Sequence, residues 1–483
     1  MSDALRRVHA FSDDALGELD AVGIADAFKC GQLTRAEAVE AAIARTEAVN
    51  PALNGLACEA FDQARAKASE QASDGEFFDG VPTFIKDNVD VAGLPMMLGT
   101  DAGVSRRAAT DSDCARLYLA NGLISLGKTQ LSELGLGASA EHPRLGSVRN
   151  PWNTDYTAGG SSSGSAAFVA AGAVPIAHAN DGGGSIRIPA SCTGLVGLKP
   201  SRGRLQMDEE TGWAPLRLVC SGVLTRSVRD TAAFYREAER IWRHPKLTPI
   251  GDVRHPGKQR LHIAVVTRFA AVARSEKREC SPELRALTLQ SAELLEELGH
   301  HVDHVENPPV PSTIGVDFRL YWGLVARWQV KTVQRAFGDT FDRSRLDNLS
   351  RGLDRYVRRN AHRLPVAIGR LHAVRLRTAK FFDTYDAMLT PTVAHGTPRL
   401  GHFDPTADLQ QITDRMGNWA PFTLLQNVTG EPAISLPLAE SASGMPVGMM
   451  LSAGIGREAL LLELAFELEE ARPWPRIQSF ARR

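Results

Sequence analysis

The 483-residue sequence is poor in cysteine and has no long apolar run. Its six cysteines are scattered, without a C-x-x-C pair or a histidine-rich neighbour, and this spacing argues against a zinc site and against a disulfide framework. A run of about 18 apolar residues, which spanning a membrane requires, is missing. Residues 1–20 carry acidic side chains where a secretion signal needs an apolar core. We therefore expect a cytoplasmic protein that binds neither a metal nor a membrane.

Neither sign of charge dominates the sequence, in which 55 lysines and arginines stand against 56 acidic residues. The formal net charge of −1 gives no global attraction to nucleic acid, so we expect no nucleic-acid partner. The hydrophobic fraction of 43% and the charged fraction of 23% are ordinary for a globular chain. Composition thus excludes disulfide-rich secreted, membrane-spanning and nucleic-acid-binding classes.

Turn signals and apolar segments divide the chain into helices and short strands. Gly31 is expected to end a first helix, while Thr34 and Glu37 have the spacing of a capping box for a second helix, which should stop near Asn50–Pro51. The apolar segments that follow are VPTFIKDNVDVAG, LISLGKT, VPIAHAND, LVGLKP, LHIAVVT, YDAMLTPTV, AISLPL and VGMMLSA. About nine strands interleaved with helices predict an α/β fold, with a large mixed, mostly parallel sheet covered by helices on both faces.

The chain has no internal repeat and no long low-complexity linker, which predicts a single domain over 1–483. Within it we distinguish N-terminal helices over 1–75, a central core over 76–230 and a helical, cap-like insertion over about 315–380. The insertion is rich in arginine. Two interpretations of these arginines stay open: a solvated helical cap with long side chains along its surface, and a surface for an anionic partner.

The segment Gly122–Thr129 matches the phosphate-loop pattern G-x-x-x-x-G-K-T. In a phosphate loop, the residues between the two glycines form a loop that follows a strand. Here they are Leu-Ile-Ser-Leu, which is typical of the strand itself, and no acidic Walker-B strand is evident downstream. We therefore interpret the segment as a core strand and not as a nucleotide site.

The segment Gly160–Gly164 matches the G-x-S-x-G pattern of a hydrolase nucleophile elbow, with Ser162 at its centre. An elbow requires a buried strand directly before it, whereas the preceding RNPWNTDYTAG is polar and contains proline and asparagine. His395 could be offered as the base, but no particular aspartate stands out to orient it. The context therefore argues against an elbow.

A second glycine-serine segment, AHANDGGGSIRIPAS, carries a more complete arrangement. The consecutive Gly182, Gly183 and Gly184 allow the backbone to approach a substrate closely and to point successive N–H groups in one direction. Fixed donors of this kind are what an oxyanion hole needs during acyl transfer. Ser185 follows directly, so nucleophile and donors would share one loop, and Arg187 is expected to hold that loop by hydrogen bonds. A tight glycine turn between a strand and a helix is the alternative for this segment alone.

A serine nucleophile needs a base, and no His–Asp pair at a recognisable spacing is present. Lys86 ends the apolar segment GVPTFIK, where burial would lower its pKa, to about 7–8 in enzymes that use lysine as a base. A neutral lysine can then deprotonate a hydroxyl. Taken alone, Lys86 is better explained as a surface residue at a strand end.

Three segments, GVPTFIKDN, GGSSSGSAA and DGGGSIRIPASCTGLVGLKPSRG, resemble in this order those of the amidase signature family. The resemblance covers nearly the whole chain, including NPALNG, LISLGKTQLSE, FTLLQNVTGEPAISLPL and GMPVGMMLS. It implies the fold of that family and an amide hydrolase that forms an acyl-enzyme on serine, without a metal or an organic cofactor. The stretches AHAND and IPASCTG also resemble hydrolases that act on nylon-type cyclic amide dimers.

The resemblance further implies a Ser–cis-Ser–Lys triad. Ser185 would be the nucleophile, Ser161 the proton relay and Lys86 the base that later acts as the acid. The peptide bond between Gly160 and Ser161 would be cis. The amides of the three consecutive glycines would form the oxyanion hole, and Ser162 matches a position that supports the triad through hydrogen bonds.

Two residues depart from the family pattern: Ser163 replaces the first glycine of a second pair, and Asn180 stands where threonine or serine is usual. Both spare the triad, so they bear on the substrate and not on the mechanism. We favour a stand-alone amide hydrolase with a small-molecule amide as its partner, and a homodimer is compatible with the resemblance. The alternatives are a catalytically silent scaffold and the amidase subunit of a glutamine-dependent tRNA amidotransferase, for which we find no arginine-centred glutamine-binding stretch.

Overall fold

A mixed β-sheet of eleven strands runs through the described part of the chain. The structure is a computed structural model that describes residues 7–71, 75–208, 214–269, 280–306 and 309–480. Its strands are β1 (Leu56–Glu59), β2 (Pro82–Lys86), β3 (Ile124–Thr129), β4 (Glu141–His142), β5 (Gly146–Ser147), β6 (Arg149–Asn150), β7 (Asn153–Thr157), β8 (Ile176–Asp181), β9 (Val196–Lys199), β10 (Cys220–Thr225), β11 (His262–Val265), β12 (His301–His304), β13 (Ala387–Pro391), β14 (Ala433–Glu440) and β15 (Pro446–Ala453).

Helices precede, follow and separate these strands. They are α1 (Ala21–Lys29), α2 (Arg35–Leu53), α3 (Phe61–Ser69), α4 (Asp113–Leu119), α5 (Ser163–Ala170), α6 (Arg187–Thr193), α7 (Val228–Ile241), α8 (Pro282–Glu297), α9 (Ile314–Phe337), α10 (Asn348–Arg359), α11 (Leu364–Phe382), α12 (Leu409–Trp419), α13 (Leu424–Thr429) and α14 (Glu458–Ala471). Among the described residues, none of the helices has the length and apolar character that crossing a bilayer would require.

The strand order in the sheet is β1-β3-β2-β8-β10-β9-β14-β15-β13-β11-β12. Parallel pairs are β2 with β3, β2 with β8, β11 with β12 and β11 with β13, and the remaining neighbours pair antiparallel. The central strands β2, β8, β9 and β10 are buried along their whole length, as strands covered on both faces must be. The predicted large mixed sheet with helical cover is confirmed, and its antiparallel pairs outnumber the parallel ones.

All eight apolar segments that predicted strands form strands of this sheet. Strands β1, β10 and β12 were not predicted from the sequence. Strands β1 and β12 are the two edges of the sheet, and their residues are half-buried or exposed, so they lack the apolar pattern of a buried strand. Strand β10, CSGVLT, is buried but too short and too mixed in character to stand out by periodicity.

The predicted N-terminus of α2 is confirmed by its hydrogen bonds. Thr34 Oγ1 accepts from the Glu37 backbone N–H at 3.2 Å, and Glu37 Oε2 accepts from the Thr34 N–H at 2.8 Å, which completes the capping box. The helix continues through Pro51 to Leu53, slightly beyond the expected end. Proline removes only one N–H from this last turn, and Asn54, with a φ of 54°, ends the helix in the left-handed conformation.

The arginine-rich region contains α9, α10 and α11, and many of its arginines are held by acids. Asp354, on α10, forms ion pairs with Arg327, Arg343 and Arg358, although its own side chain is only 2% exposed. Pairing of this kind favours the interpretation as a helical cap, because it neutralises part of the charge that an anionic partner would use.

Candidate active site

Lys86, at the end of β2, is buried and lies between two oxygens that come from distant parts of the chain. Its Nζ is 2.7 Å from Ser161 Oγ and 2.7 Å from Asn180 Oδ1. Parallel pairing of β2 with β8 brings Asn180 to this position. The expectation that Asn180 bears only on the substrate is wrong, because its side chain contacts the proposed base. Burial lowers the pKa of Lys86 to about 7, although the Asp181 carboxylate nearby raises it. With this pKa the amine is partly neutral near pH 7 and can accept a proton, and it is not a surface residue.

Ser161 follows a cis peptide bond to Gly160, which confirms the backbone geometry that the resemblance implied. Its two neighbours have other hydrogen-bond partners. Ser162 Oγ donates to the Asn180 carbonyl oxygen at 3.3 Å, and Ser163 Oγ donates to the Gly159 carbonyl oxygen. Of the three serines, Ser161 is the one whose hydroxyl contacts Lys86.

The glycine loop follows β8 and is held by Asp181, the last residue of that strand. Asp181 Oδ1 accepts from the Gly184 N–H at 2.7 Å, and Oδ2 accepts from the Ile186 N–H at 3.2 Å. Burial would raise the pKa of Asp181, but the Arg187 guanidinium and further hydrogen bonds hold it well below its usual value. The carboxylate is therefore ionised and fixes the direction of the loop amides.

This contact corrects the expectation for Gly184. Its amide is spent on the Asp181 carboxylate, so it does not face the cleft as a donor for an oxyanion. The amides of Gly182, Gly183 and Ser185 have no hydrogen-bond partner among the described residues, which leaves them available to a bound group. The sequence could not show this, because the choice between carboxylate and cleft depends on the backbone path of the loop.

Ser185 follows the glycine loop at the bottom of a cleft, and 8% of it is exposed. It lines a cavity of about 430 Å³ together with Ser161, Asn180 and Gly182. The hydroxyls of Ser185 and Ser161 make no direct hydrogen bond in the described structure, although both face this cavity. The structure therefore brings Lys86, Ser161 and Ser185 to one place, from β2, from the loop before α5 and from the loop after β8.

Comparison with known proteins agrees with this arrangement. The family model described as Amidase matches residues 37–462. The chain belongs to the amidase signature family. A Mycobacterium leprae (strain TN) protein named "Putative amidase AmiC" is 68% identical over 474 residues, which cover 98% of this chain and 99% of that protein. The chain is an amide hydrolase of this family.

Two solved structures resemble this amidase over almost its whole length. A 6-aminohexanoate cyclic dimer hydrolase has a TM-score of 0.84 at 30% identity, over 97% of this chain and 100% of that one. A bacterial aryl acylamidase of the amidase signature family has a TM-score of 0.81 at 25% identity, over 95% of this chain and 98% of that one. The expected fold is thereby confirmed.

Arg187 of this amidase holds the glycine loop from behind, as predicted, and it does so through residues that the analysis missed. Its side chain is fully buried, with Nε and Nη2 each 2.9 Å from the Asp181 carboxylate. Nη1 donates to Gln426 Oε1 at 2.9 Å, and Nη2 donates to Asn427 Oδ1 at 2.7 Å. Polar residues inside the apolar segment FTLLQNVTGEP were the signal that could have identified Gln426 and Asn427.

The phosphate-loop match is a strand of the amidase core. Residues Ile124–Thr129 form β3, and Lys128, the lysine of the motif, is 0% exposed. Its Nζ lies 2.6 Å from Asp87 Oδ1 and 2.9 Å from the Pro95 carbonyl oxygen. Because its amine is held in a buried ion pair, Lys128 cannot reach a phosphate, and the interpretation of this segment as a core strand is confirmed.

The structure also argues against a nucleophile elbow at Ser162, because, among the described residues, no buried strand of the main sheet directly precedes the segment. A strand does precede the segment, since Asn153–Thr157 form β7, but it pairs with β6 in a two-stranded sheet outside the main sheet. The Ser162 side chain is 0% exposed, with its hydroxyl donated to a backbone carbonyl. An elbow serine must be exposed, and this one is not.

Among the described residues, one group has the arrangement of metal ligands. His262, His301 and Asp303 offer ligand atoms within 4.8 Å of one another. They belong to β11 and β12, at the end of the sheet opposite to the strands that carry Lys86 and Asn180. The group is therefore separate from the candidate active site.

Proposed function

We propose that this amidase hydrolyses a small-molecule amide through an acyl-enzyme on Ser185, with Ser161 relaying protons between Ser185 and Lys86. The observation that carries the proposal is the buried Lys86 Nζ, 2.7 Å from Ser161 Oγ, beside a cavity that Ser161 shares with Ser185. A desolvated lysine has the proton affinity that a base needs near neutral pH. The hydroxyl of Ser161 then connects this base to the nucleophile.

Acylation begins when neutral Lys86 takes the proton of Ser161 and Ser161 takes the proton of Ser185. The Ser185 oxygen forms a bond to the carbonyl carbon, and the oxyanion accepts hydrogen bonds from the amides of Gly182, Gly183 and Ser185. Protonated Lys86 returns the proton through Ser161 to the amide nitrogen, the C–N bond breaks, and the amine leaves. Water then attacks the ester by the same relay and releases the acid.

Two features of the structure support this sequence of steps. Neutral Lys86 donates one N–H to Asn180 Oδ1, which orients its lone pair toward the Ser161 hydroxyl. Ser185 and Ser161 line the same cavity, which is where the relay requires the two hydroxyls to meet when substrate is bound. Asp181 and Arg187 act as positioning residues, because they hold the loop that presents Ser185 and the free amides.

We expect kcat/KM for amide hydrolysis to rise with pH through a midpoint near 7, the pKa of buried Lys86. The base must be neutral, and the neutral fraction increases as the pH passes this pKa. The measurement is kcat/KM between about pH 5.5 and 9 with an uncharged amide. A flat or falling profile over this range would contradict a lysine base.

Lys86→Met tests the lowered pKa of Lys86 independently of activity, through the pH dependence of the free energy of unfolding. In the unfolded chain the pKa of lysine is about 10.4. Lys86 therefore binds fewer protons in the native state than in the unfolded state between about pH 7 and 10. Stability therefore gains with pH in that window from the Lys86 contribution. The Lys86→Met variant should lose this gain, measured as the free energy of unfolding in urea at several pH values.

A fluorophosphonate probe tests the nucleophile directly. We expect peptide mass spectrometry to find the label on Ser185, because the relay activates its oxygen and the proposed oxyanion donors lie beside it. Labelling of Ser161 or Ser162 instead would exclude Ser185 as nucleophile. Amide hydrolysis by the chain purified alone, without tRNA, would support a stand-alone enzyme over an amidotransferase subunit. Absence of any labelling would favour a silent scaffold.

The remaining expectations are part of the same proposal. We propose a cytoplasmic enzyme that acts on a small-molecule amide, without nucleic acid or membrane as a partner and with a homodimer as a compatible state. The relatives supply candidate substrates by their names, since one is a 6-aminohexanoate cyclic dimer hydrolase and another an aryl acylamidase. A panel of aliphatic, aryl and cyclic amides is the direct comparison.

A further inference from the structure

Two cavities of different size and character meet at Ser185. One, of about 100 Å³, is mostly apolar and is walled by Ile188, Phe318, Trp322, Leu353 and Met416. The other, of about 430 Å³, contains Asn88, Asp90, Asp111 and Asn180 among its walls. An amide carries two groups, one on the carbonyl carbon and one on the nitrogen. The two cavities therefore offer separate places for the acyl and amine halves of a substrate.

The position of the proton relay decides which half occupies which cavity. Ser161 lines the large polar cavity and is absent from the walls of the small one. Because Ser161 delivers the proton to the leaving nitrogen, that nitrogen must face the cavity that contains Ser161. The proposed oxyanion donors lie between the two cavities, since Gly182 lines the large one and Gly183 the small one. This geometry places the amine half in the large cavity and the acyl half in the small one.

Two aromatic side chains of α9 line the small cavity. The rings of Phe318 and Trp322 are stacked, 5.5 Å apart with an interplanar angle of 16°. The Trp322 indole donates to the Leu136 carbonyl oxygen at 3.2 Å, which fixes its orientation. A methyl group on Gly183 would lie only 3.3 Å from Phe318, so the ring packs directly against the loop beside Ser185. The volume of the small cavity, about 100 Å³ against about 430 Å³ for the other cavity, favours the smaller half of a substrate.

Arg319 is the one charged residue in these walls; its described contacts are to neutral groups, and its Nε is buried without a hydrogen-bond partner among the residues described. Its Nη1 donates to Gln410 Oε1 at 3.3 Å, and its guanidinium lies over the Tyr356 ring, 5.0 Å from the centroid. The surrounding walls are apolar, which favours an uncharged acyl group.

The amine side has far more room. The large cavity shares walls, among them Asp113, Met207 and Gln329, with a neighbouring cavity of about 680 Å³. Both contain carboxyl and amide side chains, which suit a polar group. Nothing comparable adjoins the small cavity in the described structure.

We propose that the substrate is an amide of a short, uncharged, apolar carboxylic acid with a larger polar amine. This inference rests on the proposed function, because it assigns sides from the relay through Ser161. The acyl half is selected by Phe318, Trp322 and Met416. The amine side is selected by size and polarity and not by a single contact.

A pair of reversed amides tests the assignment. N-(6-hydroxyhexyl)butanamide and N-butyl-6-hydroxyhexanamide have the same composition and differ only in the direction of the amide bond. We expect kcat/KM to be at least tenfold higher for the first, whose short group is the acyl half. Equal values, the opposite preference, or cleavage of neither by a chain whose Ser185 reacts with fluorophosphonate would overturn the inference. Absence of labelling on Ser185 would instead contradict the proposed function.

Variants in each cavity sharpen the test. Met416→Ala enlarges the small cavity and not the large one, so the best acyl chain in a series from acetyl to octanoyl should lengthen by one or two carbons. Phe318→Leu should act in the same direction if Met416→Ala folds poorly. The matched change Gln329→Ala, in the large cavity, should leave the preferred acyl length unchanged. A preference for a succinyl over a butanoyl acyl half would overturn the uncharged assignment and give Arg319 a binding role.

Discussion

Replacement of Ser185 by alanine is expected to lower kcat for amide hydrolysis by about 10⁵-fold or more. The variant keeps the loop amides and the Lys86–Ser161 pair but has no oxygen to form the acyl-enzyme, and loss of the nucleophile in serine hydrolases has effects of this size. The measurement is amide turnover at saturating substrate, with circular dichroism and thermal unfolding to show that the fold is retained. Turnover similar to that of the unchanged chain would exclude Ser185 as the nucleophile.

Ser163→Ala is the matched control, since it removes the same atom two residues from the relay. Ser163 is buried, and its hydroxyl donates to the Gly159 carbonyl oxygen and not to Lys86. We expect a stability loss of about 1 kcal/mol from the missing hydrogen bond and turnover within about threefold. A loss of turnover as large as that of Ser185→Ala would mean that loss of any buried hydroxyl near the site disturbs its packing. The effect of Ser185→Ala would then not identify the nucleophile.

The second large effect is expected in stability, from Asp181→Ala. The Asp181–Arg187 pair is fully buried, with both side chains 0% exposed. Removal of the carboxylate leaves a buried guanidinium without its charge partner and frees the Gly184 and Ile186 amides. Breaking a buried pair in this way costs about 3–5 kcal/mol. We expect this loss in the free energy of unfolding from urea titration, together with lower kcat because the amides near Ser185 lose their fixed direction.

An exposed ion pair gives the comparison for this variant. Arg65 Nε lies 2.7 Å from Glu40 Oε1, with side chains that are 45% and 55% exposed. Because solvent screens such a pair, Glu40→Ala should cost less than about 1 kcal/mol and leave kcat unchanged. If Asp181→Ala is equally mild, the carboxylate does not hold the loop, and the role that we assign to Asp181 and Arg187 is wrong.

Much of the site was predictable because its motifs are local in the sequence and resemble those of a known family. The resemblance implied Lys86, Ser161 and Ser185, whereas Lys86 taken alone was better explained as a surface residue. Arg187 was expected to support the loop, and it does so. The role of Asp181 was not visible, because an aspartate at a strand end has many possible partners, and only the fold shows which donors it accepts.

The contacts that the C-terminal half makes with the site were not predicted. Gln426 and Asn427 contact Arg187 from α13, more than 200 residues away along the chain. Phe318 and Trp322 reach the cleft from α9 in the arginine-rich region, which the sequence suggested only as a helical cap. Contacts between such distant segments depend on the order of strands in the sheet and on helix packing, and neither has a local signature.

The sequence by itself determined the mixed α/β sheet and the family, because apolar strands and glycine-serine motifs are local patterns, and the family resemblance implied the three residues proposed for catalysis. Tertiary structure alone decided the burial that lowers the pKa of Lys86, the loss of the Gly184 amide to Asp181, and the two unequal cavities beside Ser185. Each of these depends on which distant groups surround an atom, and that is set only when the strands and helices pack.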